Sequence, residues 1–93
     1  MRKVRMIASG RVQGVGFRWS VQFLAAEIGD IYGRVWNNED GTVTILANSD
    51  SSEKLSQFIH EIRKGPSRAA KVSYLDVTLG SFEPFTDFQV KHM

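Results

Sequence analysis

The pair Asp40-Gly41 constrains this chain more than any other feature. Asp-Gly between two strand-like runs is a strong hairpin signal, because glycine supplies the positive φ that tight hairpin turns require. It predicts that "IYGRVWN" (31–37) and "TVTILA" (42–47) are antiparallel neighbours joined through "NNEDG".

Helical periodicity stands on both sides of this hairpin. Val21, Leu24, Ala25 and Ile28 fall at i, i+3, i+4 and i+7, one face of a helix that ends at Gly29. After the hairpin, Asp50 is placed to cap a second helix, with Glu53 as its capping-box partner. Leu55, Phe58, Ile59 and Ile62 make its apolar stripe, Arg63 and Lys64 suit its negative end, and Gly65-Pro66 stops it.

Strand patterns complete the frame. Val4, Met6 and Ala8 alternate with Arg5 and Ile7 ahead of the first helix. "AKVSYLDVTLG" gives a fourth strand with Leu75, Val77 and Leu79 on one face, and "FTDFQVKH" a short last strand around Phe88 and Val90. The order β-α-β-β-α-β, with a further strand near the end, predicts a ferredoxin-like α+β sandwich: an antiparallel sheet with both helices on one face. That fold hosts many unrelated activities, so function must come from a site.

A chain of 93 residues is expected to be a single domain (1–93) with one modest core. An apolar content of 42% and a charged content of 24% fit an ordinary globular protein. The absence of cysteine excludes disulfides, thiol catalysis and thiolate metal sites. A net charge of +2, with Arg2, Lys3 and Arg5 crowded together, suits a small anion as well as a nucleic acid. No apolar run approaches the ~18 residues of a membrane span. The apolar stretch in "MRKVRMIASG" is too short for a signal-peptide core, so no membrane association and a cytoplasmic location are expected.

The unusual element is "GRVQGVGFR" (10–18), three glycines and an arginine at a helix start with no acidic neighbour. Glycines let backbone N–H groups converge, and such groups at a helix N-terminus form an anion-binding nest. A cation in the first helical turn is normally unfavourable, and an anion between the loop and Arg18 resolves that mismatch. On physical grounds alone, the loop is either a flexible strand-to-helix turn beside a solvated arginine or a phosphate cradle. It fits neither the dinucleotide fingerprint, since Trp19 stands where a third glycine belongs, nor the nucleotide P-loop.

"GRVQGVGFRW" together with "GRVWNNEDGTV" resembles the acylphosphatase family, whose signature is a Gly-x-Val-Gln-Gly-Val-x-Phe-Arg loop followed by Val-x-Asn-x-x-Asp-Gly. The similarity runs over nearly the whole chain, including "FIHEIRKGPSRAAKV". It implies a small ferredoxin-like enzyme that hydrolyses carboxyl–phosphate anhydrides. By motif position, the backbone N–H groups of Gln13, Gly14, Val15, Gly16 and Phe17 would hold the phosphate. Arg18 would be the phosphate-binding arginine, and Asn37 the asparagine that positions the attacking water. Two departures stand just before Asn37. Arg34 replaces a common tryptophan, and the segment from Ile28 to Gly33 is one residue longer than the usual Leu-Gly-Leu-x-Gly.

The chemistry agrees with so sparse a site. Phosphoryl transfer asks mainly for positioning and charge stabilisation. A carboxylate leaves without protonation at neutral pH because its conjugate acid has a pKa of about 4. No general acid is therefore needed, and His60 and His92 are read as surface residues. Glu39 and Asp40 are read as turn residues, and Trp19 and Trp36 as packing residues. No metal constellation is visible and no cofactor is implied. The expected partners are an acyl phosphate as substrate and inorganic phosphate as product and inhibitor, with no nucleic acid and a monomeric state. The competing readings are a phosphate sensor without catalysis and an RNA-binding ferredoxin-like module. The latter would need exposed aromatics on the sheet, and "TVTILA" has none.

Overall fold

In the computed structural model, which describes residues 1–92, the chain runs β1 (Arg2–Arg11), α1 (Phe17–Ile28), β2 (Tyr32–Asn37), β3 (Val43–Ser49), α2 (Ser52–Lys64), β4 (Lys71–Leu79) and β5 (Phe88–Val90). The strands form one sheet in the order β4-β1-β3-β2-β5. The expected ferredoxin-like α+β order is present, and β2 and β3 are antiparallel across the Asp40-Gly41 turn. The sheet is mixed, however, because β5 runs parallel to β2, with Val35 opposite Val90. β4 ends beside the start of β1, where Val4 meets Leu79. The connection then passes Lys3, Asn48 and Arg34 through Phe82 and Phe85. A chain that crosses at that end and turns back must run in the direction of β2.

One row of side chains crosses all five strands. Val77, Met6, Ile45, Val35 and Val90 are successive partners, so they share a face. Met6, Ile45 and Val35 are fully buried there. Both helices cover this face, α1 through Phe17, Val21 and Ala25, and α2 through Leu55, Phe58 and Ile62, all in one core cluster. Each large apolar side chain so buried contributes about 1.5–3 kcal/mol. Phe58 also meets Phe88 edge-on, which docks α2 against the short β5. Two residues along, the parallel row runs Leu75, Ala8, Val43 and Asn37. Asn37 thus ends the core face of β2, beside the end of the sheet from which the glycine loop leaves β1.

Three local readings are corrected. The cap of α2 is Ser51, whose Oγ accepts from the Lys54 N–H at 3.2 Å. The helix starts one residue later than the Asp50 reading requires, so Glu53 sits too early to complete a capping box, although it still favours the positive helix end. Leu79 does not share the burial of Leu75: β4 is an edge strand, and Leu79 at its end is 90% exposed. β1 is longer than Val4–Ala8, because it continues past a register shift at Ser9/Gly10 to reach the glycine loop.

Neither departure near Asn37 disturbs its strand. The segment from Ile28 to Gly33 lies at the opposite end of β2, where Asp30 adopts φ 56° and its Oδ2 accepts from Ser49 Oγ at 3.2 Å. From Tyr32 to Asn37 the register against β3 is unbroken. Arg34 faces away from the core, bonded to Asp87 at 2.9 Å and lying over the Phe85 ring at 4.4 Å.

Candidate active site

The glycine loop is held at both ends and braced in the middle. Val12 and Phe17 are buried, each 1% exposed, so the segment between them is pinned to the core. Gln13 Nε2 donates to the carbonyls of Asn38 (2.9 Å) and Thr42 (3.0 Å), tying the loop to the β2–β3 turn. Ser67, in the connection after α2, donates through Oγ to the Val15 carbonyl at 3.3 Å. Gly14 and Gly16 take φ of 72° and 74°. A Cβ built on either meets nothing within 4 Å, so backbone conformation, and not crowding, is what demands glycine there.

This conformation leaves a concentration of donors unused. Among the described residues, no backbone N–H from Gln13 to Trp19 donates to another group of the chain, and the first that does is Ser20, to the Gly16 carbonyl. Gly16 caps α1 with no side-chain hydrogen bond, and the first turn carries no acidic residue. By contrast, α2 has both a hydroxyl cap and an acid in its first turn. The start of α1 therefore offers uncompensated positive potential over open space.

Arg18 adds a formal charge at this position. Its Nη1 donates to the Lys91 carbonyl at 3.4 Å and lies 3.2 Å from His92 Nδ1. Lys91 and His92 reach it because the Lys91 N–H donates to the Val35 carbonyl at 2.8 Å, continuing the β5 pairing beside β2. Asn37, two residues beyond Val35, has a buried Oδ1 with no hydrogen-bond partner. An orphaned buried acceptor costs about 1–3 kcal/mol and calls for an explanation.

The β2–β3 turn is itself stiffened. Asp40 Oδ1 accepts from the Thr42 hydroxyl (2.6 Å) and the Thr42 N–H (3.0 Å). These bonds, the hydroxyl first, hold the exposed carboxyl below its ordinary value. Asn38 Nδ2 reaches both Thr42 and Thr44 hydroxyls, so the segment that follows Asn37 has little freedom.

The structure thus gathers the loop, Arg18 and Asn37 at one end of the sheet. It adds three side chains that the sequence reading did not place there, those of Gln13, Ser67 and His92, of which only Gln13 was already expected through its backbone. His92 is on the surface, as expected, yet it meets Arg18. No local pattern announces a contact between residues separated by 74 positions. His60 is exposed on α2. Among the described residues there is no group of three or more histidine, aspartate or glutamate side chains that could hold a metal ion. No helix among them is long and apolar enough to cross a membrane.

The acylphosphatase family model matches residues 4–90. A protein named acylphosphatase from Lactococcus lactis subsp. lactis is 50% identical over 99% of this chain and 100% of its own length. The crystal structure of acylphosphatase from Bacillus subtilis superposes with a TM-score of 0.89 at 38% identity, covering 98% of this chain and 99% of that one. The structure of an acylphosphatase from Coxiella burnetii gives 0.86 at 30% identity, over 97% and 92% of the two chains. By family model, sequence and fold together, this chain belongs to the acylphosphatase family.

Proposed function

We propose that this protein hydrolyses acyl phosphates to a carboxylate and inorganic phosphate by direct in-line attack of water, with no phosphoenzyme and no metal ion. The reading is carried by one juxtaposition: unused N–H donors and Arg18 at the start of α1, at the same end of the sheet as Asn37, whose neighbour Asn38 accepts from Gln13 of the loop. Membership of the acylphosphatase family supports the substrate class.

The N–H groups from Gln13 to Phe17 and the Arg18 guanidinium hold the phosphoryl oxygens. They stabilise the charge that develops on them as the bond to the leaving group lengthens. Asn37 is an amide and too weak a base to ionise water, but its side-chain amide orients the water by hydrogen bonding and so aims the oxygen at phosphorus. The water oxygen bonds to phosphorus as the bond from phosphorus to the acyl oxygen breaks. The bonding electron pair leaves with the carboxylate, and the water proton passes to solvent or to the phosphate product. Carboxylate departure needs no proton donor, which fits a site whose polar groups are amides and a guanidinium. Every group invoked comes from one chain, so a monomer suffices.

Hydrolysis of benzoyl phosphate in EDTA, inhibited competitively by inorganic phosphate, is the test. No turnover above background refutes the proposal, and phosphate binding without turnover leaves a sensor in its place.

A further inference from the structure

The two ties on the glycine loop grip different parts of it. Gln13 reaches out through its own side chain, whereas Ser67 takes hold of the main chain. Its Oγ lies 3.3 Å from the Val15 carbonyl, across 52 positions of sequence. A carbonyl can only accept, so the hydroxyl is the donor. All peptide bonds among the described residues are trans. A trans peptide is planar, so the C=O of residue 15 and the N–H of residue 16 point in opposite directions. Holding the Val15 carbonyl toward Ser67 therefore turns the Gly16 N–H away from it. That N–H donates to no other group of the chain among the described residues, and a Cβ built on Gly16 meets nothing within 4 Å.

Without this bond the peptide plane has little to fix it. Rotating the plane changes ψ of Val15 and φ of Gly16 together, in opposite senses. The Val15 side chain packs against the core, but Gly16, at φ 74°, tolerates φ of either sign. We infer that Ser67 is a positioning residue: its hydroxyl fixes the Val15–Gly16 peptide so that the Gly16 N–H faces the bound oxyanion. Ser67 is itself set by the frame. The Gly65 N–H donates to the Ile62 carbonyl at 3.0 Å, closing α2, and Pro66 has a fixed φ. The Ala70 N–H then donates to the Ser67 carbonyl at 3.3 Å, in a tight turn that leads into β4. A donor aimed beforehand costs no reorganisation when charge develops on a phosphoryl oxygen. This inference rests on the phosphate-cradle reading of the loop.

The test uses the full chain with inorganic phosphate as ligand and benzoyl phosphate as substrate. Ser67→Ala weakens phosphate binding about fivefold in titration calorimetry, the scale of one neutral hydrogen bond. It lowers kcat/KM by at least about the same factor, because the misdirected donor serves the transition state as well. Ser67→Thr, which keeps the hydroxyl, retains affinity to within about twofold. In nitrogen–proton correlation spectra at phosphate saturation, the Gly16 amide proton moves downfield in the unaltered protein and by less in Ser67→Ala. A bond that served folding alone would lower the urea midpoint and leave that movement undiminished. Unchanged phosphate affinity in Ser67→Ala, an equal loss in Ser67→Thr, or an undiminished Gly16 shift overturns the inference while leaving the cradle intact. Absence of both phosphate binding and hydrolysis in the unaltered protein overturns the cradle and this inference together.

Discussion

Gln13 Nε2 donates to the carbonyl of Asn38 at 2.9 Å, so the loop proposed to hold phosphate is bolted to the residue that follows the proposed water-positioning Asn37. The two halves of the site come from segments 25 residues apart, and one side-chain amide sets their separation. Gln13→Ala should cost only about 1 kcal/mol of stability. The Asn38 and Thr42 carbonyls keep the Gly41 and Asn38 N–H groups as partners. Its effect on kcat should be larger than that cost implies, at least about tenfold, because small misplacements are amplified in turnover. Urea unfolding and steady-state kinetics on the same protein check both halves of this expectation.

Arg18 and Asn37 should fail in different ways. Arg18→Ala should weaken inorganic phosphate binding and turnover together, with melting temperature nearly unchanged because its bonds are exposed. Asn37→Ala should lower kcat by roughly a hundredfold or more, the scale for loss of a transition-state hydrogen bond. It should also leave stability unchanged or raise it by about 1 kcal/mol, since it removes a buried acceptor with no partner. A folded Asn37→Ala protein with full activity refutes its assignment.

Two glycines separate binding from folding. Gly16→Ala places a side chain at φ 74° but into open space, so about 1–2 kcal/mol of backbone strain is the whole expected cost to folding. The substitution should nonetheless depress phosphate affinity, because the loop relaxes its donors. Gly33→Ala should be far worse for folding, since a Cβ there runs into the Leu46 carbonyl in the middle of the sheet. Circular-dichroism melts and phosphate titrations rank the two in opposite orders.

Acid should loosen the β2–β3 turn, which accepts the hydrogen bonds of Gln13. Bonds from Thr42 hold the Asp40 carboxyl below its ordinary value of 3.8. Asp87 is held down by Gln89 first and then Arg34. A depressed carboxyl contributes stability that is present above its unfolded pKa, about 3.9, and lost as pH falls through the folded one. Stability should therefore be level on the neutral side of pH ~5 and decline below ~4. Asp40→Asn should flatten part of that acid limb, as read from urea midpoints against pH. A decline unaltered in the variant counts against this source.

The start of α2 offers a check on capping. Ser51→Ala should cost about 1 kcal/mol, whereas Asp50→Ala should cost little, because Ser51 and not Asp50 accepts the Lys54 N–H. Equal losses in the two variants would contradict the cap seen in the structure.

The elements themselves were legible because local rules decide them. Periodicity marked both helices, and Asp40-Gly41 marked the hairpin. Single-residue placements were less secure. Ser51 and Asp50 both carry a capping oxygen, and the choice between them depends on where the chain leaves β3. Leu79 obeys the strand alternation, yet its burial depends on which strand forms the edge. The parallel direction of β5 was not legible for a similar reason: a three-residue strand takes its direction from the path of the segment before it. By itself, the sequence determined the order of elements and the core faces of the helices, both properties of neighbouring residues. Only the tertiary structure decided what meets across the sheet end, Gln13 with Asn38 and His92 with Arg18. Contacts across 25 and 74 residues are set by strand order and register, which no local stretch of sequence encodes.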